Sequence, residues 1–203
     1  MKRRRVWLMY AAGAVAGAAV IGLGFGVGWS VERHLYWVRG TAWCALIALG
    51  LTLCASPVGL ALRRLGRVNK RAVDETRRAL GITTAALATL HVALAVSTYL
   101  RDAWASSLEL TWLRSGAVAF AILLALWLTS YPALNRRLRV FVFKPLHRLA
   151  WVAFALAIHH AMTSPFAPRG WVIVVAVVVL VLAPLRWLRS PRARTEDKEP
   201  EAA

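Results

Sequence analysis

Acidic residues are scarce in this sequence, and none of them lies in a long apolar segment. Nine Asp and Glu stand against 26 Lys and Arg among 203 residues. Carboxylates are the usual partners in transmembrane proton relays, and Asp, Glu or Cys usually join His in tetrahedral zinc sites. The absence of Asp and Glu from the apolar segments therefore disfavours both a proton relay and a zinc site.

Disulfides and nucleotide-binding motifs are also missing. The only cysteines, Cys44 and Cys54, are ten residues apart in one apolar segment, about 15 Å along a helix and too far for a disulfide. The sequence contains no glycine-rich phosphate loop and no βαβ unit, so residues 1–203 are not expected to bind NADPH through a Rossmann-type domain. The net charge of +17 falls in short runs between apolar segments, which excludes nucleic acid as a partner.

Apolar residues dominate what is present. Hydrophobic residues make up 59% of the chain and the mean hydropathy is +0.56, values typical of an integral membrane protein. Six segments have the roughly 17–25 mainly apolar residues that a spanning helix needs. We therefore predict an all-α integral membrane protein, a six-helix transmembrane bundle. The segments are 6–29, 39–61, 79–100, 113–131, 144–163 and 170–188.

The basic residues predict the orientation of this bundle. Connections on one side of the membrane hold 20 Lys and Arg, and those on the other side hold five. The positive-inside rule then places both termini in the cytoplasm. Residues 1–189 are expected to form one transmembrane domain, and residues 190–203, which mix charges with little apolar content, a disordered cytoplasmic tail.

Four histidines lie inside or at the edge of predicted helices, and an ionisable side chain at membrane depth is a candidate functional residue. From the cytoplasmic side, His91 lies about 18 Å deep, His159 and His160 about 23–24 Å, and His147 only about 5 Å. Imidazole binds iron well, and facing helices can hold a haem from both sides. We therefore expect a haem b between His91 and either His159 or His160, in a transmembrane haem-binding domain.

Two other classes of function stay open. In a non-haem membrane scaffold or assembly factor, the histidines would only hydrogen-bond to backbone or to neighbouring helices. In a metal-ion or proton transporter, they would bind the transported ion. A visible spectrum of the purified protein separates these possibilities from a cytochrome.

Four stretches resemble the ferric-reductase-like transmembrane domain, over about 120 residues. Within that family they are most similar to the haem-binding subunit of the periplasmic methionine-sulfoxide reductase system (MsrQ/YedZ type). The interval from His147 to His160 matches the fifth-helix histidine pair of the family. The four stretches read GTAW…LTLCASP at 40–57, RRALGI…H at 77–91, LTS…NRRL at 128–138 and LH…H at 146–160.

The resemblance implies a membrane b-type cytochrome subunit, which transfers electrons and is not a complete enzyme. Electrons would pass from a cytoplasmic flavin reductase or quinol to a periplasmic oxidoreductase subunit such as methionine-sulfoxide reductase, across the bilayer of a bacterial inner membrane. One or two haems b are implied, with FMN as a further candidate cofactor. The family spacing favours His160 over His159 as the partner of His91, and His147 would serve a second haem or a flavin entry site.

Overall fold

The computed structural model of the protein describes residues 31–66, 68–98, 100, 106, 108–130 and 140–187. These residues form helices and no β-strand, which confirms the all-helical prediction for this part of the chain. The predicted helix at 6–29 and the predicted tail at 190–203 lie outside the described residues. The described helices are α1 (Val31–Arg64), α2 (Lys70–Thr98), α3 (Thr111–Thr129), α4 (Val140–Thr163) and α5 (Arg169–Leu182), which continues into a 3₁₀ helix at Ala183–Trp187.

Three stretches of the described helices are long and apolar enough to cross a membrane, namely Leu35–Arg64, Lys70–Thr98 and Thr111–Thr129. Arg169–Leu185 is a shorter apolar helix. Large apolar side chains remain exposed on the bundle, among them Leu180 and Val181 at 62% and 67%. Lipid is the solvent that suits such a surface, and the protein is therefore a membrane protein. The count of six helices and the cytoplasmic placement of both termini stay predictions.

The connection between α1 and α2 is short because both helix ends carry their own capping groups. Gly66 N–H donates to Arg63 O at 3.0 Å, and Gly66 has a φ of 69°, the left-handed conformation that favours glycine after a helix. Asn69 then caps α2, since its Oδ1 accepts a hydrogen bond from Ala72 N–H at 2.8 Å. The two helices consequently run antiparallel to each other.

α1 is the central helix of the bundle and packs against α2, α4, α5 and the 3₁₀ helix. Consecutive helices also contact each other from α2 through α5. Cys54 is buried in this core and Cys44 is half-buried, and both are free thiols, as predicted. The core joins α1 to α4 and α5 through Leu46, Leu49, Leu53, Cys54, Phe154 and Val179.

Candidate functional site

A cavity of about 480 Å³ lies between α1, α2, α3 and α4. Its walls come from the first halves of α1 and α3 and the second halves of α2 and α4, because consecutive helices are antiparallel. Most of the lining side chains are Ala, Leu and Val, joined by aromatic rings that include Trp43, Trp112 and Phe120. The volume falls in the range of about 300–1,000 Å³ that is usual for ligand and cofactor pockets.

The cavity and most of the exposed basic residues lie at opposite ends of the bundle, although the exposed Arg39 lines the cavity. The cavity lies where α2 and α4 end, whereas the exposed cations cluster where α1 ends and α2 begins. The positive-inside rule predicts that this basic end faces the cytoplasm, and in that orientation the cavity would lie in the outer half of the membrane. The exposed cations of this cluster are Arg63, Arg64, Lys70, Arg71, Arg77 and Arg78.

The structure brings His91 of α2 and His160 of α4 together in this cavity. Their ring centroids are 6.4 Å apart, and the ring planes are inclined by 71°. Both side chains are half-buried. The depth estimate and the family spacing predict this pairing of His91 with His160. The two residues come from helices that are not consecutive in the chain.

Each of these rings is held through one nitrogen by a backbone carbonyl. His91 Nδ1 lies 2.9 Å from Val38 O on α1, and His160 Nδ1 lies 2.7 Å from Trp112 O on α3. A carbonyl oxygen can only accept, so these partners assign the proton to Nδ1 in both rings. The remaining nitrogen, Nε2, is then the one with a free lone pair.

This arrangement fits a haem iron held from both sides. Metal-binding histidines usually donate their other N–H to a carbonyl or carboxylate, which fixes the tautomer and the ring orientation. An imidazole nitrogen lies about 2.0–2.1 Å from a bound transition metal, so two rings on opposite sides of it have centroids roughly 6 Å apart. The observed 6.4 Å agrees with that separation.

A bare metal ion fits less well than a haem. Among the described residues, no three His, Cys, Asp or Glu side chains come together to hold an ion. A haem requires only axial ligands from the protein, and His91 and His160 are sufficient for that.

His159 and His147 do not join this pair in the described structure. His159 is exposed, and its Nδ1 lies 3.1 Å from Ser115 Oγ on α3. His147 lies 13 residues before His160 on α4, about 20 Å away along the helix axis. The side chain of His147 lies outside the described part, and its role in a second haem or a flavin entry site stays a prediction.

The sequence did not point to α3 as part of the site. Trp112 supplies the carbonyl for His160, its ring lies 5.5 Å from the His160 ring, and Gly116 lies directly against that ring. Trp112 lies in the first turn of α3, and a carbonyl acceptor cannot be recognised from a sequence. A glycine within an apolar helix was the one available signal, since glycine there often permits a close approach.

Comparison with known proteins identifies the family. No curated protein matches the sequence. The family described as ferric reductase like transmembrane component matches residues 39–158, more than half of the chain, and the match includes His91. The protein therefore belongs to the family of ferric-reductase-like transmembrane components.

Proposed function

We propose that the protein is the b-type cytochrome subunit of a membrane electron-transfer system, with His91 and His160 as the axial ligands of one haem. The observation that carries the proposal is the matched pair of rings in an apolar cavity. Each ring has Nδ1 bonded to a backbone carbonyl and Nε2 left free. Membership in the ferric-reductase-like family supports electron transfer as the role of the site.

The bound haem supplies one-electron chemistry, and the protein supplies ligation, burial and control of the potential. His91 and His160 would hold the iron, and Trp43, Trp112 and the aliphatic lining would keep water away from it. Arg39 also lines the cavity, and its guanidinium carbon lies 5.6 Å from the centroid of the Phe166 ring. From that position it can neutralise a carboxylate of the cofactor.

A role for the histidines in packing alone is the main competing interpretation. It accounts for the two carbonyl hydrogen bonds, since a buried imidazole needs a partner. It gives no reason for both rings to line one apolar cavity of about 480 Å³, a volume usual for cofactor pockets.

The proposed direction of transfer is from the cytoplasm to the outside. We propose a cytoplasmic flavin reductase or quinol as the donor, with FMN as a candidate second cofactor near His147. The resemblance to the haem-binding subunit supports a periplasmic acceptor such as methionine-sulfoxide reductase, and with it a bacterial inner membrane. The cavity lies at the end of the bundle opposite the main cluster of exposed cations, a position that agrees with the delivery of electrons to the outer side of the membrane.

The visible spectrum of the purified protein tests this function. Protein from haem-replete cells is expected to show a Soret band that shifts on reduction with dithionite, and to release haem b into acidified solvent. His91→Ala and His160→Ala should each lose the low-spin bis-histidine spectrum, because neither α2 nor α4 offers another cavity ligand. A folded but colourless wild-type preparation would falsify the proposal.

A further inference from the structure

α3 contains no histidine, yet one of its turns contacts two of the three histidines of α4, His159 and His160. Trp112 O accepts the Nδ1–H of His160 at 2.7 Å. Ser115 Oγ lies 3.1 Å from Nδ1 of His159. Gly116 faces the His160 ring with no side chain between the two helices. The turn Trp112–Gly116 therefore touches the two neighbouring rings in two different ways.

Gly116 allows the His160 ring to approach α3. A Cβ atom at Gly116 would lie 2.7 Å from His160 Nδ1 and 3.0 Å from its Cε1. Carbon atoms do not approach ring atoms that closely, so any side chain at this position must displace the ring. The displacement would also break the hydrogen bond to Trp112 O, which depends on the same approach.

Ser115 holds the other histidine away from the cavity. Its hydroxyl donates to Trp112 O at 2.8 Å, and its lone pair is then free to accept from His159 Nδ1–H. Adjacent residues on a helix point about 100° apart. When His159 bonds to Ser115, His160 is consequently turned into the cavity that it lines.

We infer that the turn Trp112–Gly116 selects His160 over His159 as the histidine that faces the cavity, and fixes its ring with Nε2 free. Gly116 and Ser115 are positioning residues in this scheme, because they act through the rings of His160 and His159. The inference rests on the proposed function, since it explains how α3 holds one ligand of the same haem.

The test is Gly116→Ala in the full-length, haem-loaded protein, with Gly81→Ala as the matched control. A Cβ at Gly81 of α2 meets only Thr52 Cγ2, at an ordinary 3.9 Å. Gly116→Ala is expected to lose most of the low-spin spectrum per mole of protein and to shift the midpoint potential of what remains, whereas Gly81→Ala should keep both. A Gly116→Ala protein with the spectrum and potential of the control would overturn the inference.

The His160→Ala background separates positioning from a general folding defect. Without the ring, the three atoms nearest to the added Cβ at Gly116 are gone, so Gly116→Ala should not reduce yield or thermal stability further there. Exogenous imidazole should restore the low-spin spectrum equally with and without the Gly116 change. An equal loss of folded protein in both backgrounds overturns the inference alone, whereas a colourless wild type overturns the proposed function and the inference with it.

Discussion

The two cavity histidines are held by equivalent but separate arrangements of one backbone carbonyl and one hydroxyl. Val38 O accepts from His91 and also from the hydroxyl of Thr41, three residues later, at 3.1 Å. Trp112 O accepts from His160 and from a serine hydroxyl three residues later. Interhelical hydrogen bonds in membranes contribute only about 0.6 kcal/mol on average. The effect of these bonds is therefore orientation of the rings more than stability of the bundle.

We predict unequal effects of replacing the histidines. His159→Ala should keep nearly all of the low-spin haem, because its ring bonds to Ser115 outside the cavity lining. His160→Ala should lose it, and His147→Ala should slow reduction from the cytoplasmic side while keeping most of the outer haem signal. The measurement is low-spin haem content per protein for each variant. If His147→Ala abolishes the signal and His160→Ala does not, the pairing of His91 with His160 is wrong.

The residue types of the candidate site could be predicted from the sequence, but not the groups that orient them. Helix rise alone puts His91 and His160 within about 6 Å of the same depth, and the structure brings these two rings together. Every residue has a carbonyl, so no pattern distinguishes Val38 or Trp112 as acceptors. The position of His159 likewise depends on which way α4 is turned against α3, which is set by contacts between helices.

At the scale of the helices, hydropathy predicted where they are but not where they begin. The predicted segment 39–61 lies inside α1 (Val31–Arg64), and the segment 79–100 overlaps α2 (Lys70–Thr98). Hydropathy detects only the part of a helix that suits lipid. Helical hydrogen bonding continues into polar turns, as at the start of α2, where Arg71 Nε donates to Glu75 Oε1 at 2.7 Å on the exposed surface.

We predict that Phe154 of α4 is a main contributor to the contact between helices. It is 4% exposed and belongs to the cluster that joins α1, α4 and α5. Phe154→Ala should lower the free energy of unfolding by about 3–5 kcal/mol, through lost burial and the cavity left behind. Thermal unfolding in detergent measures this effect. Val152→Ala on the same helix is the control, since Val152 is 46% exposed, and an equal loss from both variants contradicts the prediction.

At the scale of the whole molecule, charge and cavity define two unlike ends. Exposed cations flank the connection from α1 to α2, and the cavity with His91 and His160 lies at the other end. Basic residues stay on the cytoplasmic side of a membrane more readily than they cross it. The proposed haem site is therefore expected nearer the outer surface, where an acceptor outside the cell membrane could approach it.

We predict that both termini are cytoplasmic, because 20 basic residues fall on one side and five on the other. A phosphatase fusion near Ser190, which is active only outside the cytoplasm, should be inactive. The same fusion after Pro165, in the connection between α4 and α5, should be active. An active fusion near Ser190 contradicts either the count of six helices or the orientation.

Each cavity histidine bonds to the helix that precedes its own along the chain, His91 on α2 to α1 and His160 on α4 to α3. The four helices thus form two antiparallel pairs, and in each pair a histidine is hydrogen-bonded to a backbone carbonyl of the other helix. The cavity lies between the two pairs. A ligand held by one histidine from each pair binds only the assembled bundle, so it favours assembly in proportion to the logarithm of its free concentration. Haem supply in the cell would then govern how much of the protein survives quality control, before any electron is transferred.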